Sequence, residues 1–257
     1  MLKLLSSLRL LSPARKLSSF FKKASRQNIS LKTLYTSFLT DHDLFFDIGA
    51  NEGVVTNLVA SMGCRVVAVE ANPELAGKIK KRFSSASTVM IEHAAVSSSV
   101  GSVEFLISDE MPELSSVSKE WVDKSVYAGA CRWNRTVTVP ALTLDALIEK
   151  HGMPRFIKID VEGHEPDVLA GLTQAVDYLS FEYCLKMEGA LEACVQRLEQ
   201  IAADSNRRAL FNYSKDKNHS LELRTWVSGA EILRKLHSFD DELAVGDIYC
   251  KTISETI

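Results

Sequence analysis

Three observations predict an α/β fold built on a mostly parallel sheet. Short apolar runs alternate with helical segments of about 10–15 residues, the pattern of strand–helix–strand units. The run Leu44–Ile48 leads into a turn bearing Gly49 and Gly53 and then into a helix. The runs Val66–Val69 and Ile157–Ile159 each stop at a carboxylate, Glu70 and Asp160. Parallel sheets bind ligands beyond the carboxyl ends of their strands, so both acids stand where chemistry is expected.

The elements follow in order. Residues 30–40 read as a short helix. Leu44–Ile48 is a buried strand, being a short apolar run that ends at glycine, and a helix over Asn51–Met62 follows it. Arg65–Val69 is the second strand. Pro73–Phe83 is a helix that opens on proline, where the missing N–H costs little. Val89–Val96 is the third strand and Gly101–Ser108 a further extended piece. Residues 109–135 show no clean period and read as an irregular insertion over the site, since loops of that length are often functional. Its Trp121, Tyr127, Arg132 and Trp133 are expected to wall an acceptor. Thr136–Pro140 is a strand. Thr143–His151 is a helix with Thr143 as its N-cap. Then come the strand Phe156–Asp160, the helix Pro166–Ala175, the strand Tyr178–Tyr183 and the long helix Gly189–Ala203. Arg208–Tyr213 and Asp247–Thr252 close as strands, with Ser228–Leu236 helical between them.

With 257 residues and 46% hydrophobic content, the chain can bury a real core as one large domain. Its net charge of −3 conceals an asymmetry. The first 40 residues hold eight Lys and Arg and no acid, so the other 217 hold 22 basic and 33 acidic residues, a net of −11. The expected organisation is a basic amphipathic helical extension over 1–40 and a body over 41–257. Within the extension, Leu4, Leu8 and Leu11 share one helical face and Pro13 breaks the helix. A helical lid, a peripheral membrane contact through residues 1–28 and a targeting segment are the readings of this arm. The acidic body argues against nucleic acid as partner, because phosphate contacts need a dense basic surface. Five cysteines with no C-x-x-C point to free thiols and a cytoplasmic setting.

Three motifs carry chemistry. Asp47-Ile-Gly49-Ala50-Asn51-Glu-Gly53 joins a strand to a helix, with its glycines at offsets 0 and 4. A dinucleotide fingerprint needs offsets 0, 2 and 5, so the spacing fits a ligand whose ammonium and carboxylate face the loop, with Asp47 near the cation. Glu70 ends the second strand, 17 residues beyond Gly53, and is placed to accept hydrogen bonds from ribose hydroxyls. The segment Ile157-Lys-Ile-Asp160-Val-Glu162-Gly163-His164-Glu165 crowds three carboxylates at a strand end. Like charges there raise one another's pKa, which suits general acid–base work. Glu162 reads equally as a helix cap and His164 as a solvated loop residue. Glu182, on the next strand, either joins the site or ends its strand.

Taken together these residues resemble the FkbM family of S-adenosylmethionine-dependent methyltransferases. The resemblance rests on Phe46-Asp-Ile-Gly-Ala-Asn-Glu-Gly53, Val69-Glu-Ala-Asn-Pro73, Ala94-Ala-Val-Ser97, Thr143-Leu-Asp145, Ile157-Lys-Ile-Asp-Val-Glu-Gly-His-Glu165 and Val168-Leu-Ala-Gly171. It covers roughly residues 44–185. It implies a Rossmann-like class I methyltransferase fold, with a seven-stranded sheet whose last strand is antiparallel. It implies O-methylation of a hydroxyl on a sugar, glycan or other small natural product. Asp47, Gly49, Ala50, Asn51 and Gly53 would form the loop on the methionine side. Glu70 would hold the ribose, Ala94 and Ala95 would lie near adenine, and Asp160 and Glu162 near the methyl group. The family often has Glu-Pro-Asn where this chain has Glu70-Ala-Asn-Pro73.

Asp160 is the expected base, assisted by Glu162 and Glu182, with His164 as the second base. The cofactor is expected to be S-adenosyl-L-methionine. Clustered carboxylates suit Mg²⁺, but no spacing demands a metal. A non-catalytic S-adenosylmethionine-binding protein and a nucleotide-dependent oxidoreductase are the alternatives, the second disfavoured by the glycine spacing. The sequence leaves the oligomeric state open.

Overall fold

The computed structural model describes residues 30–254 apart from 130, 216–218 and 242. The expected amphipathic extension therefore lies, from residue 1 to 29, outside the described residues.

The central sheet holds β1 (Leu44–Ile48), β2 (Arg65–Glu70), β3 (Val89–His93), β7 (Phe156–Ile159), β8 (Tyr178–Cys184), β9 (Arg207–Lys215) and β10 (Val245–Ser254). Their spatial order is β3-β2-β1-β7-β8-β10-β9. Neighbours from β3 to β8 run parallel, and β10 lies antiparallel between β8 and β9. This is the sheet expected above, with the last strand of the chain as the reversed one. A second, three-stranded sheet pairs β6 (Arg135–Leu142) with β4 (Ala95–Val96) and β5 (Gly101–Ile107).

Alternation along the strands builds the two faces. Phe46, Ile48, Val67, Val69, Ile157 and Ile159 pack on one side, against α4 (Leu144–His151), α5 (Glu165–Ala170), α6 (Ala190–Asp204) and α7 (Gly229–His237). Phe45, Val66, Ala68 and Phe156 pack on the other. Burying side chains of this size contributes about 1.5–3 kcal/mol each. Residues 31–39 join that second face: Leu31, Leu34, Tyr35, Phe38 and Leu39 are buried, and Tyr35 meets Phe45 and Phe156 edge-on. Charge alone had grouped them with the basic arm, but their packing makes them part of the body. All five cysteines are buried free thiols. Among the described residues no helix is long and apolar enough to cross a membrane.

Four expectations are revised. The helix after β1 starts at Val54, not Asn51, because Asn51 (φ 51°) and Gly53 (φ 73°) turn the chain through the left-handed region; it is α1 (Val54–Ala60). The third strand divides at Ala94, so β3 and β4 serve different sheets. The insertion over 109–135 is not wholly irregular. It contains a 3₁₀ turn at Pro112–Leu114 and α3 (Lys119–Lys124), whose N-cap Ser118 accepts the Trp121 N–H at 3.1 Å. Helix α5 stops at Ala170, where Gly171 lies so close to the Ser97 carbonyl that a Cβ would come within 2.4 Å of it. The remaining helices match closely. In α2 (Pro73–Arg82), Asn72 caps the N–H groups of Glu74 and Leu75 at 3.0 and 3.3 Å. In α4, Thr143 caps Ala146 at 3.0 Å.

Candidate functional site

Strand order reverses between β1 and β7, and open α/β sheets bind ligands at such a point. A cleft with two lobes that share part of their lining opens there. Gly49, Asn51, Leu75, Tyr127, Asp160 and Glu182 line both lobes.

The first lobe is built from strand ends. Glu70, buried at 6% exposure, accepts the backbone N–H of Asn51 through Oε2 and that of Asn72 through Oε1, both at 2.7 Å. Burial pushes its pKa up and the two N–H groups pull it back. Gly49 and Ala50 each donate a backbone N–H to the Val69 carbonyl at 3.0 Å, which pins the loop onto β2. A Cβ on Gly49 would stand 1.9 Å from the Asp160 carbonyl oxygen, so only glycine lets the loop settle on the end of β7. Ala94, Ala95, Val96, Leu75, Phe105 and Leu114 supply apolar walls.

The acid loop closes the floor. Asp160 donates its N–H to the Ile48 carbonyl at 3.0 Å, and its Oδ2 lies 3.1 Å from Lys158 Nζ. Glu162 takes a left-handed φ of 56° and its carbonyl accepts from Ser116 Oγ at 2.7 Å. Gly163 sits under Trp121, where a Cβ would come within 2.7 Å of the Trp121 side chain. The insertion thus clamps the acid loop. Glu182 faces it from β8. Burial, then Glu162 and Asp160, push the Glu182 pKa well up, which favours its protonated form. Ligand atoms of Asp160, Glu162 and Glu182 lie within 4.8 Å of one another, a set that could hold a cation. Burial lowers the pKa of His164, against an opposing pull from Asp167. Its Nε2 meets Ser97 Oγ at 3.1 Å and its Nδ1 lies 3.4 Å from Asp167 Oδ2.

Of the residues singled out from sequence, Gly49, Asn51, Glu70, Ala94, Ala95, Asp160, Glu162, His164 and Glu182 line the first lobe, and Ala50 the second. Gly53 lines neither. It makes the turn, and Phe83 packs where its Cβ would be. Asp47 lines neither as well. It is fully buried, accepts from Thr56 Oγ1 at 2.6 Å, and has Lys158 Nζ 3.7 Å away. Among the described residues Lys158 is thus its counter-charge. Among the four residues expected to wall an acceptor, only Tyr127 lines the cleft; Trp121 is 1% exposed and belongs to a buried cluster. Tyr127 has its pKa pushed up to about 12 by burial, Glu182 and Glu162. Sequence reasoning passed over Lys158, Tyr35 and Asp247, which line the second lobe. Lys158 had a signal: it is the one charge in the apolar strand Phe156-Ile-Lys-Ile159.

The sheet order, the reversed strand β10 and a cleft at the switch point define a Rossmann-like methyltransferase fold. A family model described as the methyltransferase FkbM domain matches residues 47–188, more than half of the chain. The chain belongs to that family, and S-adenosyl-L-methionine is its cofactor. A hexuronic acid methyltransferase, AglP, from Haloferax volcanii is 28% identical over 144 residues, covering 55% of this chain and 54% of that protein. The matched region thus spans about half of the relative's length. Among solved structures, a precorrin-6y C5,15-methyltransferase from Geobacter metallireducens is 10% identical with a TM-score of 0.42, covering 87% of this chain and 85% of that one. A TehB-like SAM-dependent methyltransferase from Corynebacterium glutamicum is 10% identical with a TM-score of 0.41, covering 93% and 100%.

Proposed function

We propose that this chain transfers the methyl group of S-adenosylmethionine to a hydroxyl oxygen of a sugar, a glycan or another small natural product. One observation carries the reading. Asp160 stands on the floor common to both lobes, paired with Lys158 and faced by Glu162 and Glu182.

The first lobe suits the donor. Glu70 offers carboxylate lone pairs to a ribose diol, and Ala94 and Ala95 offer an apolar slot to a flat base. Gly49, Ala50 and Asn51 face the methionine end, with Gly53 and Asp47 supporting the loop from behind. The donor supplies an activated methyl on a cationic sulfur. The protein must place an acceptor oxygen about 3–3.5 Å from that carbon and in line with it. A neutral alcohol is a weak nucleophile, so a base takes its proton as the bond forms. Asp160 fills that role, with its carboxylate oriented by Lys158. Glu182 and Glu162 face the same space as Asp160 and share the charge of the cluster. His164, buried beside Ser97, is the second base. The relative's action on a hexuronic acid supports a sugar acceptor. A peripheral membrane contact through residues 1–28 belongs to the same proposal.

Asp160→Asn tests the base. Turnover falls about 10²–10⁴-fold, the usual contribution of general base catalysis, while S-adenosylhomocysteine binds within threefold of wild type. Full turnover with normal affinity contradicts the reading.

A further inference from the structure

We propose that Lys158 is a positioning residue for the transfer: its ammonium, held between Asp47 and Asp160, fixes the Asp160 carboxylate and couples it to the cofactor loop. The inference rests on the reading of Asp160 as the base.

Lys158 pairs with Asp47 in the register of β1 and β7, so the two side chains project from the same face of the sheet. Asp160 lies two residues beyond Lys158 and continues along that face. Ile157 and Ile159, on the opposite face, are 0% and 1% exposed, while the Lys158 side chain keeps 13% and reaches the second lobe. A charge at such depth is costly unless paired. The pairing forms a chain of contacts. Thr56 Oγ1 on α1 donates to Asp47 Oδ2 at 2.6 Å. Asp47 Oδ1 is buried, makes no hydrogen bond, and has Lys158 Nζ as its compensating charge at 3.7 Å. The same Nζ reaches Asp160 Oδ2 at 3.1 Å. Burial opposes the Lys158 charge, but Asp160 and Asp47 more than offset it and raise its pKa.

The arrangement does not suit the capture of an acidic substrate by Lys158, whose charge already serves two carboxylates. It suits alignment. With one Asp160 oxygen tied to Nζ, rotation of the carboxylate is restricted, and the α1–β1 unit that carries the cofactor loop is tied to the base. A misplacement of about 1 Å at such a group costs about 100-fold in rate.

Three variants separate positioning from simple stabilisation. Wild type, Lys158→Met, Lys158→Arg and the double variant Asp47→Asn/Lys158→Met are assayed with methyl-labelled S-adenosylmethionine and a panel of neutral methyl glycosides. Thermal unfolding and calorimetry with S-adenosylhomocysteine are run in parallel. Lys158→Met lowers both kcat, by about 100-fold, and thermal stability, because Asp47 loses its counter-charge. The double variant regains stability but not kcat, and Lys158→Arg regains much of both. S-adenosylhomocysteine affinity of Lys158→Met stays within threefold of wild type. Wild-type kcat in Lys158→Met, or recovery of kcat together with stability in the double variant, overturns the proposal. A wild-type chain that binds S-adenosylhomocysteine yet methylates no hydroxyl, either of the glycosides or of a cell-extract fraction of glycans and small molecules, overturns this proposal and the functional reading together, whereas an active Lys158→Met overturns only the role of Lys158.

Discussion

The backbone N–H of Asn51 donates to the Glu70 carboxylate at 2.7 Å, and with the Gly49 and Ala50 bonds to the Val69 carbonyl it ties the loop after β1 to the end of β2. The other Glu70 oxygen holds the Asn72 N–H, at the cap of α2, so a single side chain sets the shape of the first lobe.

Glu70→Ala removes both bonds and the proposed ribose contacts. Each hydrogen bond to a charged group contributes about 1.5–3 kcal/mol, and 1.4 kcal/mol is a factor of ten in affinity. Calorimetry should therefore show S-adenosylhomocysteine binding about 100-fold more weakly. Unchanged affinity removes Glu70 from the donor site.

Gly49→Ala and Gly77→Ala form a matched pair. At Gly49 φ is +79° and the new Cβ would lie 1.9 Å from the Asp160 carbonyl oxygen. At Gly77, exposed in α2, nothing lies within 4 Å. Alanine at 49 should destabilise by about 2–4 kcal/mol, while alanine at 77 should stabilise by about 0.5–1 kcal/mol. Thermal unfolding of the two variants checks the opposite signs.

Most strands were legible because a buried strand must be a short apolar run, as in Leu44–Ile48 and Ile157–Ile159. The acids Glu70 and Asp160 were legible because they end such runs. What escaped depends on pairings between distant segments. The Lys158–Asp47 contact exists only through the β1–β7 register. Trp121 looked like a substrate wall because aromatics in a loop serve surface and core alike; it is buried through packing with the distant Cys184 and Met187 and over Gly163. The division of Val89–Val96 at Ala94 reflects a change of sheet that no residue type marks.

Glu165 makes stability depend on pH. It is buried, its Oε1 accepts the Val161 N–H at 3.0 Å, and burial outweighs that bond, raising its pKa from 4.5 to about 7. A carboxyl with a raised folded-state pKa favours the fold while protonated. Its contribution is complete below about pH 4.5 and is lost as pH rises through about 7. The difference is about 3 kcal/mol at most, at 1.36 kcal/mol per pKa unit. Glu165→Gln should flatten the fall in melting temperature between pH 5 and 7. An identical slope in both proteins assigns the effect elsewhere.

Deletion of residues 1–28 should leave S-adenosylhomocysteine affinity within threefold of the full chain. The described residues that line the first lobe begin at Ile48, and the body keeps Leu31 and Tyr35 in the second. A large loss of affinity would make the basic arm part of the donor site.

Transfer to a hydroxyl is the central claim, and the fate of the label tests it most directly. The full chain is incubated with ¹³C-methyl S-adenosylmethionine and a cell-extract glycan fraction, and the product is read by mass spectrometry and NMR. The account predicts the labelled carbon on an ether oxygen of a sugar or similar acceptor. Label on nitrogen, on a carboxylate as an ester, or on no acceptor at all would contradict it.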